Sequence, residues 1–199
     1  MNKEIKLTGK VVDVIRQEIF PGHVTIEDKH IKSIEKTDQA VEDVFILPGL
    51  VDSHIHIESS MLSPQMFACE AVKHGTVATV SDPHEIANVL GEEGIRFMVE
   101  DGKKVPFKFY FGVPSCVPAT PFETSGSVID SGKVRELIKK EEHPYLAEMM
   151  NFPGVLNEDR EVIGKIRAAR DIGKPVDGHA PGLRGGEAQK YINAGISTD

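Results

Sequence analysis

Apolar residues follow two different rhythms along this chain, and the change falls near residue 48. Before it they come in short bursts: Ile5/Leu7, Val11/Val12/Val14, Ile19, Val24/Ile26, Ile31/Ile34 and Val44/Phe45/Ile46. Turn formers at Gly9, Pro21-Gly22 and Asp28-Lys29 separate the bursts. Short apolar runs bounded by turn residues predict strands, so residues 1–47 are expected to form a small antiparallel β unit. So few apolar positions cannot enclose a core unaided, and the unit is expected to lean on other chain. His23 and His30 fall at or near the expected turns and read as solvated.

From residue 48 onward the rhythm alternates between strand-like and helix-like. Strands are expected at 50–57, 76–82, 107–113, 144–151 and 175–180, with another opening at 195–199; helices are expected at 64–74, 86–104, 131–142, 158–172 and 184–194. In the fourth helix Asn157 can cap, Glu158, Asp159 and Glu161 fill the first turn, Val162, Ile163, Ile166 and Ala169 form an apolar face, and Gly173 with Pro175 ends it. Strands spaced by one helix each imply right-handed βαβ crossovers and a parallel sheet. Both a doubly wound sheet and a (β/α)8 TIM-type barrel satisfy this pattern. Placement of the polar residues favours the barrel. They recur at successive strand ends: His54 and His56, then Asp82, His84 and Glu85, then Glu148, His179 and Asp199. Barrels build their sites from that face with many strands contributing, whereas a doubly wound sheet gathers ligands at one switch point. A whole barrel takes about 250 residues, so residues 48–199 are expected to be its first part, truncated after about the sixth strand.

Composition narrows the partners. The 199 residues are 40% hydrophobic and 27% charged, which suits a soluble globular chain. A formal net charge of −8 with no long basic run argues against a nucleic acid and for a small neutral or cationic ligand. Cys69 and Cys116 form no CxxC pair and read as core residues in a reducing compartment. With a polar N-terminus and no run of 18 apolar residues, neither a signal peptide nor a membrane span is expected, so the expected location is the cytoplasm.

The candidate chemistry centres on Leu47 to Ser60, LPGLVDSHIHIESS. On a strand His54 and His56 would face one way, about 6.6 Å apart, with Ile55 and Ile57 on the other side. Imidazoles and carboxylates are ligands that zinc, manganese and iron accept, which makes His54, His56, Glu148 and His179 the candidate metal ligands. Each also has an ordinary alternative: exposed histidines, or a strand carboxylate paired with a base. The stretch SDPHEIANV lacks the second histidine of a zinc-protease helix, since Asn88 stands there. Asp82 is expected to close its strand. His84 and Glu85 either line the mouth of the site as substrate contacts or charge the first helical turn. His74 and His143 read as structural, and GLRGGEAQ as a loop feeding a helix rather than a phosphate loop.

Taken together, PGLVDSHIHIESS, SDPHEIANV, AEMMNFPGV and DGHAPGL resemble the adenine deaminases of the amidohydrolase superfamily, over the whole chain. The distinguishing feature is Glu148, because related dihydroorotases and hydantoinases place a carboxylated lysine at the fourth strand. The resemblance implies a binuclear divalent centre, with manganese or iron favoured and zinc possible. His54 and His56 would hold the more buried ion, Glu148 would bridge, and His179 would bind the second ion. It also implies a further histidine beyond Asp199 and an eighth-strand aspartate, neither of which this sequence contains. The implied reaction is hydrolytic deamination of adenine to hypoxanthine and ammonia, a step of purine salvage, by a full-length protein that is a homo-oligomer; the present stretch alone is expected to be inactive. Another cyclic amidohydrolase, or a non-catalytic metal-binding fragment, are the alternatives.

Overall fold

The computed structural model describes residues 4–120 and 122–198. The expectation placed on Asp199 therefore lies outside the described residues. Two compact units appear, Met1–Gly49 and Leu50–Asp199.

In the first unit β1 (Glu4–Asp13), β2 (Glu18–Glu27), β3 (His30–Lys36) and β4 (Phe45–Ile46) form one sheet in the order β3-β2-β1-β4. β1–β2 and β2–β3 are antiparallel and β1–β4 is parallel. The sheet is thus mixed rather than purely antiparallel. Turns form where Gln17, Asp28 and Lys29 adopt positive φ. Pro21-Gly22, expected as a turn, instead lies inside β2. Pairing with β3 ends at Gly22–Lys36, so Pro21, which has no N–H to offer, sits just beyond that ladder. His23 is consequently a strand residue bonded to Thr8 Oγ1 at 2.9 Å, not a solvated loop residue. Among the described residues of this unit, Val11, Phe20 and Val24 form the buried hydrophobic cluster, with Ile26 and Ile46 packed on them.

The second unit alternates strands and helices. β5 (Leu50–Ile55), β6 (Thr76–Ser81) and β7 (Lys108–Phe111) are parallel neighbours, as are β8 (Leu146–Met149) and β9 (Val176–Gly178). Parallel bridges at Val113–Leu146 and Asp177–Thr198 join the second pair to the first three strands and to a sixth segment. Every strand therefore adjoins the one before it in the chain, an order with no switch point.

The helices are α1 (Pro64–Ala71), α2 (His84–Leu90), α3 (Glu92–Gly102), α4 (Ser131–Leu137), α5 (Phe152–Leu156), α6 (Arg160–Arg170) and α7 (Gly185–Asn193). Several differ from expectation: α4 stops at Leu137 rather than residue 142, and α5 is a helix the sequence pattern did not predict. The single helix expected over 86–104 is broken at Gly91, whose φ of 60° and ψ of −138° no helix tolerates. The helix expected from residue 158 starts at Arg160 and is capped by Asp159, which accepts from the N–H groups of Glu161 and Val162. Asn157 and Glu158 are instead spent leaving α5, Glu158 with a φ of 57°.

The main core gathers Val113, Ile129, Leu137, Leu146, Met149 and Ile166, while Ile57, Met98, Val99 and Phe111 form a second cluster that Ile55 joins. Of the cysteines, Cys116 is buried as expected, but Cys69 is exposed on α1. His143 is buried with Nδ1 3.2 Å from the Phe111 carbonyl. No described helix is long and apolar enough to cross a membrane.

Candidate metal centre

Glu148 stands at the centre of the site. Its strand, β8, is buried at all four positions, and its side chain is 3% exposed. Carboxylate Oε1 lies 3.4 Å from His56 Nε2 and 3.3 Å from His84 Nδ1, and Oε2 lies 3.4 Å from His54 Nε2 and 3.5 Å from His179 Nδ1. Four imidazoles thus ring one carboxylate, two on each oxygen.

Chain topology explains the convergence. His54 belongs to β5, and His56 follows immediately as the strand gives way to a 3-10 turn, Ile57–Ser60. The two rings meet edge to face with centroids 5.2 Å apart. Strand β5 ends at Ile55 rather than residue 57, and Ile57 is fully buried in the turn beneath the histidines. His84 opens α2 after β6, Glu148 lies within β8, and His179 follows β9. All are at the same ends of neighbouring parallel strands, so their side chains share one rim.

His54, His56, Glu148 and His179 are therefore brought together, and His84 joins them. Glu85 takes a different partner, its Oε1 accepting from Ser59 Oγ at 2.5 Å. Of two further carboxylates near the centre, Asp82 was read from the sequence only as closing its strand, and Asp177 was not singled out. Asp82 lies 3.0 Å from His84 Nδ1 through Oδ2, while its backbone oxygen meets His56 Nδ1 at 3.0 Å. Asp177 Oδ2 lies 3.6 Å from His54 Nδ1. The DPH spacing of Asp82 and His84 was the available signal, but an aspartate ahead of Pro83 reads equally well as a strand end.

Donor atoms of His56, Asp82, His84 and Glu148 all lie within 4.8 Å of one another. Among the described residues no lysine or arginine pairs with either carboxylate, and buried Asp82 Oδ1 has no hydrogen-bond partner. Buried like charges without a compensating cation are costly, so this nitrogen-and-oxygen donor set fits a divalent cation. The same crowding of charge shifts the protonation of these groups. Burial and then the charge of Asp82 hold the Glu148 pKa above the usual carboxylate value, against the pull of His56, His84 and His179. Burial opposes a charge on His84, but its hydrogen bond to Asp82 and the charges of Asp82, Glu148 and Glu58 prevail and lift its pKa to about 9. Burial likewise raises Glu58, with Glu85 and Asp82 adding to the effect.

Beside the centre, a cavity of about 550 Å³ is lined by His54, Asp177, Tyr110, Tyr145 and Thr198, among others. A larger groove of about 810 Å³ between α6 and α7 is lined by Arg160, Arg167, Arg170 and Lys190 and contains none of the site residues.

The amidohydrolase family model matches residues 45–199. Adenine deaminase of Methanosarcina mazei is 59% identical over 194 residues, covering 98% of this chain and 35% of that protein. Adenine deaminase of Salinibacter ruber is 51% identical over 199 residues, covering 100% of this chain and 36% of that protein. The chain thus spans about a third of the length of these curated relatives. Among solved structures, the L-hydantoinase of Arthrobacter aurescens superposes with a TM-score of 0.57 at 16% identity, covering 86% of this chain and 39% of that one. An N-acetyl-D-glucosamine-6-phosphate deacetylase from Mycobacterium smegmatis superposes with a TM-score of 0.59 at 13% identity, covering 98% and 54%. At those identities the likeness concerns the fold alone.

Proposed function

The chain belongs to the amidohydrolase family, and from that premise we propose that it is the N-terminal part of a metal-dependent adenine deaminase, which converts adenine and water to hypoxanthine and ammonia. One observation carries this reading: both oxygens of the buried Glu148 carboxylate are engaged, Oε1 lying 3.4 Å from His56 and Oε2 3.4 Å from His54 and 3.5 Å from His179, as a carboxylate shared between two cations would be. Identity of 51–59% to adenine deaminases supports the substrate.

In this reading His54, His56, Glu148 and His179 hold a binuclear divalent centre, manganese or iron in preference to zinc. When bound, such a centre lowers the pKa of water toward 7 and supplies the nucleophile for C6 of the purine. The residues of this chain orient and exclude. The backbone oxygen of Asp82 fixes the His56 ring through Nδ1, leaving Nε2 for the centre. His84, held by Asp82, and Glu85, tied to Ser59, would meet the purine at the site mouth.

The remaining parts of the reading are architectural. Residues 48–199 are the opening arc of a (β/α)8 barrel truncated after about the sixth strand, and residues 1–47 are part of a composite β-sandwich. The full-length protein is a cytoplasmic homo-oligomer acting in purine salvage on the free base, with neither nucleic acid nor membrane as partner. The 199-residue stretch alone does not turn over adenine.

The test is ammonia release from adenine by the full-length protein loaded with Mn2+ or Fe2+. Glu148→Gln is expected to remove turnover by at least about a thousandfold, the scale of losing an essential electrostatic group, while the circular dichroism spectrum stays that of the wild type. Wild-type activity in this variant, or hydrolysis of dihydroorotate or a hydantoin in place of adenine, refutes the assignment.

A further inference from the structure

The pairing of β8 is interrupted where it matters most. Its ladder with β9 joins Leu146 to Val176 and Met149 to Gly178, with a register shift between, so Ala147 and Glu148 have no partner on that strand. Ala147 is held from the other side by its N–H to the Val113 carbonyl at 2.9 Å. The carbonyl of Glu148 is held differently: it accepts from the Met150 N–H at 3.0 Å and from the hydroxyl of Ser115. A side chain has replaced a ladder partner at the residue that carries the central carboxylate.

Ser115 is itself fixed. It is 1% exposed, and its own carbonyl accepts from Lys165 Nζ at 2.8 Å. Lys165 lies on α6, 9% exposed, with its ammonium directed inward from an otherwise amphipathic helix. Burying an ammonium is expensive unless it is well partnered. Burial accordingly lowers its pKa, with the Cys116 thiol and the carboxylates of Glu161, Asp130 and Asp159 opposing. A leucine or methionine would fill the space at less cost.

We propose that Lys165 is a positioning residue for the metal centre, acting through Ser115 to fix the main chain of Glu148. The inference rests on the reading of Glu148 as a bridging ligand. Lys165 touches neither substrate nor ligand. Its ammonium sets the Ser115 peptide, the Ser115 hydroxyl then meets the Glu148 carbonyl, and the Glu148 Cα–Cβ direction follows. Outer groups of this kind are worth about ten- to a hundredfold in metal affinity.

The experiment uses the full-length protein stripped of metal and titrated with Mn2+, with free ion followed by electron paramagnetic resonance. Lys165→Met keeps the stem and removes the donor; Ser115→Ala removes the next link. Each is expected to weaken Mn2+ binding about tenfold. The double variant should be no weaker than either single one, because both remove the same strut. Thermal unfolding of the metal-free proteins separates a folding defect from a positioning defect. The proposal is overturned if Lys165→Met lowers the metal-free melting temperature but keeps Mn2+ affinity within twofold of wild type, or if the two losses multiply in the double variant. Should Lys165→Met not fold, Ser115→Ala decides alone, and unchanged affinity there refutes the strut. Glu148→Gln in the same titration tests the underlying reading separately: unaltered Mn2+ binding would mean that the bridging role itself is wrong.

Discussion

Two buried carboxylates, Glu148 and Asp82, share a space with His56 and His84 in which one donor atom from each of the four lies within 4.8 Å of the others. At this scale the readable part of the site was the part written as spacing. His54 and His56 at i and i+2, and His179 in a Gly-His-Ala-Pro stretch, stand out in the sequence because histidine is uncommon and the positions repeat at strand ends. Asp82 was read only as a strand end, and Lys165 did not stand out. An aspartate before a proline and a lysine within an amphipathic helix are ordinary locally, and only tertiary burial makes them exceptional. His143 offers a separate test, away from the centre. Burial holds its pKa below the histidine norm, with the Phe111 carbonyl and Glu142 opposing. The unfolded chain therefore takes up this proton near pH 6.5 and the native state only at lower pH, so stability falls as pH drops below about 6.5. In the full-length protein under chelator, His143→Asn, which can still donate to Phe111, should lose less of its urea midpoint between pH 7.5 and 5.5 than the wild type. An equal loss would place the titration elsewhere.

Elements were legible where period and length agreed, and illegible where a single backbone angle decided the outcome. Apolar spacing over residues 86–104 is continuous enough to read as one helix, but Gly91 splits it into α2 and α3. A Cβ there would also meet the side chain of Ser127. Gly91→Ala should therefore cost about 1–3 kcal/mol, the price of a strained non-glycine conformation. Asp159 holds the start of α6 by accepting two N–H groups, so Asp159→Ala should cost about 1 kcal/mol. Chemical denaturation of both variants checks the order, and Asp159→Ala as the more damaging of the two would contradict it. The capping shift from Asn157 to Asp159 has a similar origin: α5, a five-residue helix capped at its start by Asn151, leaves through Asn157 and Glu158, which the sequence pattern assigned to the start of the next helix.

For the whole molecule, the alternation of strands and helices was legible from residue 48 onward, because each repeat carries its own apolar period. Edge exposure was not. β5 pairs only with β6 among the described residues, and Leu50 and Val51 are more than half exposed, although the run around them reads as a buried strand. A bound cation should matter at this scale too, because ligands from β5, β8 and the loop after β9 would then share one charge. For the full-length protein, Mn2+ at a thousand times its dissociation constant should add about 4 kcal/mol of stability. Chelation should remove that gain, and Glu148→Gln should shrink it; an unchanged melting temperature on chelation would contradict a shared cation. Finally, each parallel strand in the second unit neighbours the one made just before it. During synthesis on the ribosome, every newly emerging strand accordingly finds its docking edge already waiting, and the rim histidines reach their places one after another rather than by a late, long-distance search.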